Sequence, residues 1–258
     1  MVSKTALLAI IKAQHSMQAH AYDIIYQNEA TNWWYRVRRK IVCNMLARYQ
    51  KKSPTPLRIL DIGCGTGLLM QEMQRYGTVE GVDISAQAIA YCKERGLSTV
   101  QEASAEVLPY PSESFDVVVI LDVLEHLKDD SAGLNEIKRV LVPGGRAIIT
   151  VPAFMFLWSI TDVLSEHYRR YTRREICAAV KKTGLHIQRA TYFNTFLFPA
   201  IAAVRLSVRV FRIKMKSETR VGGSIGNAIF YALFRLESFL LPYVSFPFGV
   251  SVLIIAQK

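Results

Sequence analysis

Asp61-Ile-Gly-Cys-Gly-Thr-Gly67 follows a short apolar run, and a second run ends in Asp83, sixteen residues past Gly67. Glycines in such a turn let the backbone approach a ligand closely and adopt conformations that other residues avoid. A dinucleotide fingerprint reads Gly-x-Gly-x-x-Gly/Ala, but Leu68 stands at its third glycine position here. Asp61 would repel a pyrophosphate yet could accept a hydrogen bond from an ammonium group. Asp83 is placed to bind a ribose diol. An ammonium at Asp61 and a ribose at Asp83 describe S-adenosylmethionine better than a nicotinamide dinucleotide.

Methyl transfer from a sulfonium is a displacement in line with the S–CH₃ bond, so positioning supplies most of the acceleration. A hydroxyl nucleophile also gains from a base, typically about 10²–10⁴-fold. His126, after the β-branched run Phe115–Ile120, is one candidate, though it could equally cap or pack the next helix. His167 is the other, in Glu166-His-Tyr-Arg-Arg-Tyr-Thr172, where Tyr168 and Tyr171 suit a loop covering the substrate. Asn32-Trp-Trp-Tyr-Arg-Val-Arg-Arg-Lys40 combines three aromatics with four cations. Trp34 and Arg36 are candidate substrate contacts there, and Arg36 or Arg39 could pair with a carboxylate. Cys43, Cys64, Cys92 and Cys177 are scattered without metal-like spacing, so no metal site and no disulfide frame is expected.

These residues need a scaffold that brings them to one edge. Apolar runs at 57–62, 78–83, 97–102, 115–120, 146–151 and 185–193 alternate with helical stretches near 67–76, 86–95, 131–141 and 172–182. That alternation predicts an α/β fold with a doubly wound, mostly parallel sheet. Ligands on such a sheet bind beyond the carboxyl ends of the strands. The chain divides into an N-terminal helical arm (1–56), a core (57–193), an apolar and basic insertion (194–249) and a final strand (250–258).

The chain resembles the class I S-adenosylmethionine-dependent methyltransferases, in the branch acting on small molecules and lipids and including ubiquinone-biosynthesis-type enzymes. Four stretches within about 57–152 carry the likeness: Asp61–Gly67; Gly81-Val-Asp83; Ala105–Pro109 with Phe115-Asp116; and Leu121-Asp-Val-Leu-Glu-His126 with Leu141–Gly145. The resemblance implies a Rossmann-like sheet of seven strands. It places Asp61, Gly63, Cys64, Gly65 and Gly67 around the methionine moiety with Leu121 nearby, and Asp83 and Ile84 at the ribose. Ser104 and Ala105 would lie beside the adenine, where the family often has Asp instead of Ser104. A His-x-x-x-Tyr-Thr stretch follows the fifth strand in related enzymes, which favours His167 over His126.

Charge is unevenly spread. Residues 31–60 hold eight Lys/Arg and no acid, residues 61–160 seven basic and fourteen acidic, and residues 161–220 thirteen basic and four acidic, within a net +11. Basic flanks suit a phosphate backbone, an anionic membrane or an anionic substrate. In the insertion, Arg205, Arg209, Arg212 and Lys216 fall on one helical stripe beside Leu197, Ile201, Val204, Val208 and Phe211, the pattern of an interfacial helix. The insertion either docks on an anionic membrane or covers the pocket as an apolar lid; both imply a lipophilic substrate. Ser238–Gln257 is twenty residues without charge, yet Pro242, Pro247 and Gly249 interrupt it and Gly249–Ala256 suits a sheet strand, so it is not expected to span a bilayer. The apolar run Thr5–Ile11 is too short for a secretory signal before Lys12. The expected enzyme is a cytoplasmic methyltransferase, peripheral on the inner membrane face. A nucleic-acid methyltransferase is disfavoured because Leu121-Asp-Val-Leu stands where an Asn/Asp-Pro-Pro-aromatic tetrad would be needed, and a non-catalytic adaptor retaining the fold is the third possibility.

Overall fold

The computed structural model describes residues 22–211 and 223–258. Seven strands form one sheet in the order β3-β2-β1-β4-β5-β7-β6. They are β1 (Leu57–Ile62), β2 (Gly77–Asp83), β3 (Val100–Glu102), β4 (Phe115–Leu121), β5 (Leu141–Pro152), β6 (His186–Phe193) and β7 (Ser251–Gln257). The first five pair in parallel, while β7 runs antiparallel between β5 and β6. β1 and β4 are the central strands, and their near-continuous Val, Ile and Leu runs are buried on both faces. β5 is longer than its apolar core because Leu141 already pairs with Phe115, before the Pro143-Gly144-Gly145 turn.

The helices are α1 (22–28), α2 (Trp33–Gln50), α3 (Leu68–Met73), α4 (Ala86–Glu94), α5 (Asp130–Val140), α6 (Ile160–Leu164), α7 (Arg173–Lys182), α8 (Phe198–Val210) and α9 (Gly223–Leu240). Their starts are encoded locally. Asn32 caps α2 by accepting from Trp34 N–H, Ser85 caps α4, and Thr172 and Glu175 form a reciprocal capping box on α7. Among the described residues the insertion contributes helices α8 and α9, with α9 packed along α2. Phe234 of α9 stacks on Trp34, which stacks in turn on Phe193 at the end of β6.

Ser251–Gln257 is the strand β7, and among the described residues no helix is long and apolar enough to cross a membrane. Taking β7 into a bilayer would separate β5 from β6.

Candidate active site

The parallel strands end on one rim, and three turns on that rim build the site. The first is the glycine turn after β1. N–H groups of Gly63 and Cys64 both donate to Val82 O, at 2.8 and 3.0 Å, which folds the turn against β2. Gly63 has φ +73°, and a Cβ there would stand 2.3 Å from a methyl of Val123. Gly65 has φ +55°, but a Cβ there would meet no protein atom within 4 Å. The turn is thus packed on one side and open on the other, a cradle that a ligand can enter.

Asp83 ends β2 beside this cradle. It accepts from Gly65 N–H (2.9 Å), Ser85 N–H (3.0 Å) and the Tyr22 hydroxyl (3.0 Å). Asp61 is 3% exposed. Burial pushes its carboxyl up to about 7, the Arg38 guanidinium opposes that rise and the Asp83 charge adds to it. Arg38 also forms an ion pair with Asp122, whose other oxygen accepts from Thr150 Oγ1 at 3.0 Å. Asp122 sits at φ +57° immediately after β4 and so turns the chain sharply at the rim.

The third turn carries Glu125 and His126, and the loop after α6 brings His167 to them. The two imidazoles lie edge to face with centroids 4.5 Å apart. His167 Nδ1 is 2.8 Å from Asp162 Oδ1, and Asp162 is also gripped by Arg170 at 2.7 and 2.9 Å. These partners hold the Asp162 carboxyl below the usual range despite burial. A carboxylate at Nδ1 selects the tautomer with Nδ1–H, which leaves the Nε2 lone pair available. His167 Nε2 lies 4.0 Å from Glu125 Oε1. Glu125 is fully buried, neither of its oxygens has a hydrogen-bond partner among the described residues, and desolvation raises its pKa well above the ordinary value. His126 is shifted the other way, below the ordinary histidine range, by the atoms packed around it and by His167. One ligand atom from each of Glu125, His126 and His167 lies within 4.8 Å of the others. Two imidazoles and a carboxylate are a donor set suited to a divalent transition metal, and a buried carboxylate without a partner is a group that a cation would satisfy.

Comparison with known proteins shows the family. Residues 60–149 match a methyltransferase-domain family. A ubiquinone biosynthesis O-methyltransferase of Brucella anthropi is 30% identical over 195 residues, which cover 61% of this chain and 79% of that enzyme. The chain belongs to the S-adenosylmethionine-dependent methyltransferases. A ubiquinone/menaquinone biosynthesis C-methyltransferase of Geobacter sulfurreducens is 36% identical over 103 residues, covering 36% of this chain and 40% of that one. The fold is shared with a methyltransferase of Thermotoga maritima described as a possible histamine N-methyltransferase, at TM-score 0.56 and 18% identity, over 93% of this chain and 95% of the other.

S-adenosylmethionine is the methyltransferase's cofactor, and the open cradle at Gly65, with acidic groups on either side, fits it. Asp61 and Asp83 meet at the glycine turn. Leu121 and Ala105 are buried, Ile84 is exposed beyond Asp83, and Ser104 Oγ accepts from Glu106 N–H at 3.1 Å. Cys64 contributes backbone only, since its thiol turns inward to 3.9 Å from that of Cys92.

Other expected contacts are engaged elsewhere. Tyr171 is buried, donating to Asp130 at 2.8 Å and lying 3.3 Å from Leu124 O, so it braces the turn before Glu125 instead of covering a substrate. Arg36 lies over the Tyr231 ring of α9, and Arg39 bonds Glu72 and the carbonyl of Glu29. Arg38, between them in sequence, is the arginine that reaches the site. Trp34 packs α2 to α9, whereas Tyr168 remains half exposed beside the histidines. The two histidines weighed as alternatives stand together, and Glu125, Asp122 and Asp162 complete a cluster that the spacing of cysteines and histidines did not suggest.

The position of Asp61 predicts a pH dependence. An ammonium ligand requires the carboxylate, and burial keeps the Asp61 carboxyl protonated up to about pH 7. Cofactor affinity should fall by up to about tenfold per unit as pH drops below 7, and level off above it. With its folded pKa above the ordinary carboxylate value, Asp61 lends the protein stability at low pH that is lost as pH rises through about 7. Titration calorimetry in buffers of different ionisation enthalpy measures the released proton; a flat affinity between pH 5.5 and 8 would remove Asp61 from the ammonium contact.

Proposed function

We propose that this methyltransferase methylates a hydroxyl on the ring of a lipophilic, quinone-type acceptor at the surface of an anionic membrane. The observation that carries this reading is the apolar surface formed by the same chain segments that hold the histidine cluster. Between β5 and His167, the segment bearing Asp162 exposes Met155, Phe156, Ile160, Val163 and Leu164. α8 packs against this segment without burying a single residue, and leaves Val204, Leu206, Val210 and Phe211 to solvent. α9 adds Ile225, Ile229, Leu233 and Leu236. Scattered apolar side chains are ordinary, but the set shared by α8 and the segment it packs on, joined through Phe156 and Phe198, suits an interaction surface.

A lipid surface suits this face because its cations lie among the apolar groups. Arg209 is exposed on α8, Arg235 lies over two aromatic rings of α9, and Lys40 stands over Phe239. Arg205 is spent partly on the fold, donating to Leu157 O at 2.8 Å, while Arg212 and Lys216 of the expected stripe lie outside the described residues. Each cation near an anionic surface is worth about 1 kcal/mol and each buried large apolar side chain about 1.5–3 kcal/mol. A few of each sustain reversible docking.

S-adenosylmethionine, when bound, supplies an activated methyl group. The chain's own tasks are to hold the nucleoside between Asp61 and Asp83 and to bring the acceptor hydroxyl to Glu125, His126 and His167. His167 Nε2, oriented through Asp162, is the available proton acceptor at that point. A divalent cation on the three residues would instead take that lone pair, polarising the hydroxyl and stabilising its charge in place of a base. The O-methyltransferase among the relatives supports oxygen as the acceptor atom.

The test is incubation of the full chain with membrane lipid extract, anionic vesicles and isotopically labelled S-adenosylmethionine. A lipid-extractable product carrying the labelled methyl on oxygen is expected, with co-sedimentation on anionic vesicles that Arg209→Glu with Phe211→Ser weakens at least severalfold. Label appearing only in RNA or DNA, or vesicle binding that ignores both substitutions, would overturn the reading.

A further inference from the structure

The first described helix, α1, is latched across the cofactor cradle by side chains on both sides of it. Asp23 accepts from Gln87 Nε2 and the Tyr91 hydroxyl, each at 2.5 Å. Tyr26 stacks on Tyr91 with ring centroids 4.2 Å apart, and the Arg95 guanidinium lies 4.4 Å over the Tyr26 ring. Glu29, just beyond the helix, accepts from Arg95 at 2.8 Å and from the Thr66 hydroxyl within the glycine turn. Helix α1 is therefore tied to α4 and to the turn that meets the cofactor.

Tyr22 ends this latch on Asp83, the carboxylate placed for the ribose. An ionised carboxylate offers about four acceptor positions on two oxygens. Three are taken by Gly65 N–H, Ser85 N–H and the Tyr22 hydroxyl, and the N–H of Ile84 also favours the charged group. A ribose diol brings two donors, so the diol and the present partners cannot all be satisfied. Gly65 and Ser85 are fixed by the turn and by the capping of α4, which leaves Tyr22 as the donor that can leave. The phenol remains protonated, since burial and the Asp83 charge raise its pKa, so it keeps donating to Asp83 until displaced.

We infer that the Tyr22 hydroxyl is a stand-in for a ribose hydroxyl, and that cofactor binding displaces Tyr22 from Asp83 and loosens α1. This rests on the assignment of Asp83 to the ribose. The device would keep a buried carboxylate hydrogen-bonded between turnovers, and would make product nucleoside release easier because Tyr22 competes for its site.

The experiment uses the full chain and S-adenosylhomocysteine as probe, with affinity by calorimetry, association rate by stopped flow and amide hydrogen exchange over residues 22–28. Tyr22→Phe removes the competing donor and keeps the ring, so the probe should bind about ten- to a hundredfold tighter, the worth of one hydrogen bond to a charged group. Asp23→Ala leaves Tyr22 intact but weakens the latch, and should raise the association rate severalfold. In the unaltered protein, exchange over 22–28 should speed up when the probe binds. Equal or weaker binding by Tyr22→Phe, or slower exchange on binding, would overturn the proposal and make Tyr22 a cofactor-closing residue. Asp83→Ala separates the two failures: unchanged affinity there refutes the ribose assignment itself, whereas a large loss together with an unimproved Tyr22→Phe refutes the displacement alone.

Discussion

Asp83→Ala should raise the dissociation constant for S-adenosylmethionine by about two orders of magnitude or more. A ribose diol donates two hydrogen bonds to this carboxylate, and bonds to a charged group are worth about 1.5–3 kcal/mol each, with about 1.4 kcal/mol per factor of ten. The loss is not confined to the diol. Gly65 N–H and Ser85 N–H also lose their acceptor, so the cradle itself relaxes. Asp83→Asn keeps one carbonyl oxygen and should cost roughly tenfold, which separates the lost contacts from the lost turn. Calorimetric titration with S-adenosylhomocysteine checks both, with circular dichroism to show that the fold survives. An affinity within twofold of the unaltered protein would mean that the nucleoside does not lie across Asp61 and Asp83.

The cofactor half of this site was legible because its requirements are local. A turn that must pack Gly63 on Val123 and stay open at Gly65 writes itself into adjacent residues, and a strand that must end in a carboxylate does so at Asp83. The strand alternation was equally readable, because fully buried parallel strands leave near-continuous apolar runs. The acceptor half was harder because its residues are joined only in space. Asp162 lies five residues before His167 in a capping box that reads simply as a helix start, and nothing local says that it also orients an imidazole. Glu125 precedes a histidine in a chain with fourteen acids between 61 and 160, and only the fold shows that it is buried without a partner. Arg38 was hidden among four neighbouring cations, since choosing between Arg36, Arg38 and Arg39 requires the rotation of α2 against the sheet. Tyr171 misled for the opposite reason. An aromatic hydroxyl in a polar loop suggests a substrate contact, but tertiary packing turned it inward to Asp130.

Two halves of different character meet at β4. On the proposed reading Leu121 and Asp122 border the cofactor side, and Glu125 and His126 the acceptor side within one turn of chain. The ion pair from Arg38 to Asp122 places a cation of the arm between them, beside Asp61. An ammonium bound at Asp61 would therefore change the charge felt by Arg38 and Asp122, next to Glu125 and His126.

His167→Ala should lower kcat by about 10²–10⁴-fold while leaving the dissociation constant for S-adenosylhomocysteine within twofold. The imidazole stands on the acceptor side and touches none of the groups assigned to the cofactor, so binding and turnover should separate. The companion substitutions decide what the cluster does. If His167 worked only as a base, Asp162 would suffice to orient it, and Glu125 would remain a buried carboxylate with no hydrogen-bond partner among the described residues. A cation held by Glu125, His126 and His167 accounts for all three groups at once, which favours it. Glu125→Gln and His126→Ala should then cost about as much as His167→Ala, the double substitutions should cost little more than the single ones, and chelation should remove activity that added Mn²⁺ or Zn²⁺ restores. Loss confined to His167→Ala with full activity in chelator would leave His167 as a simple base and return Glu125 to the fold. Single-turnover rates at saturating cofactor, measured with and without chelator, separate these outcomes because both chemistries act on the acceptor hydroxyl and neither acts on the nucleoside.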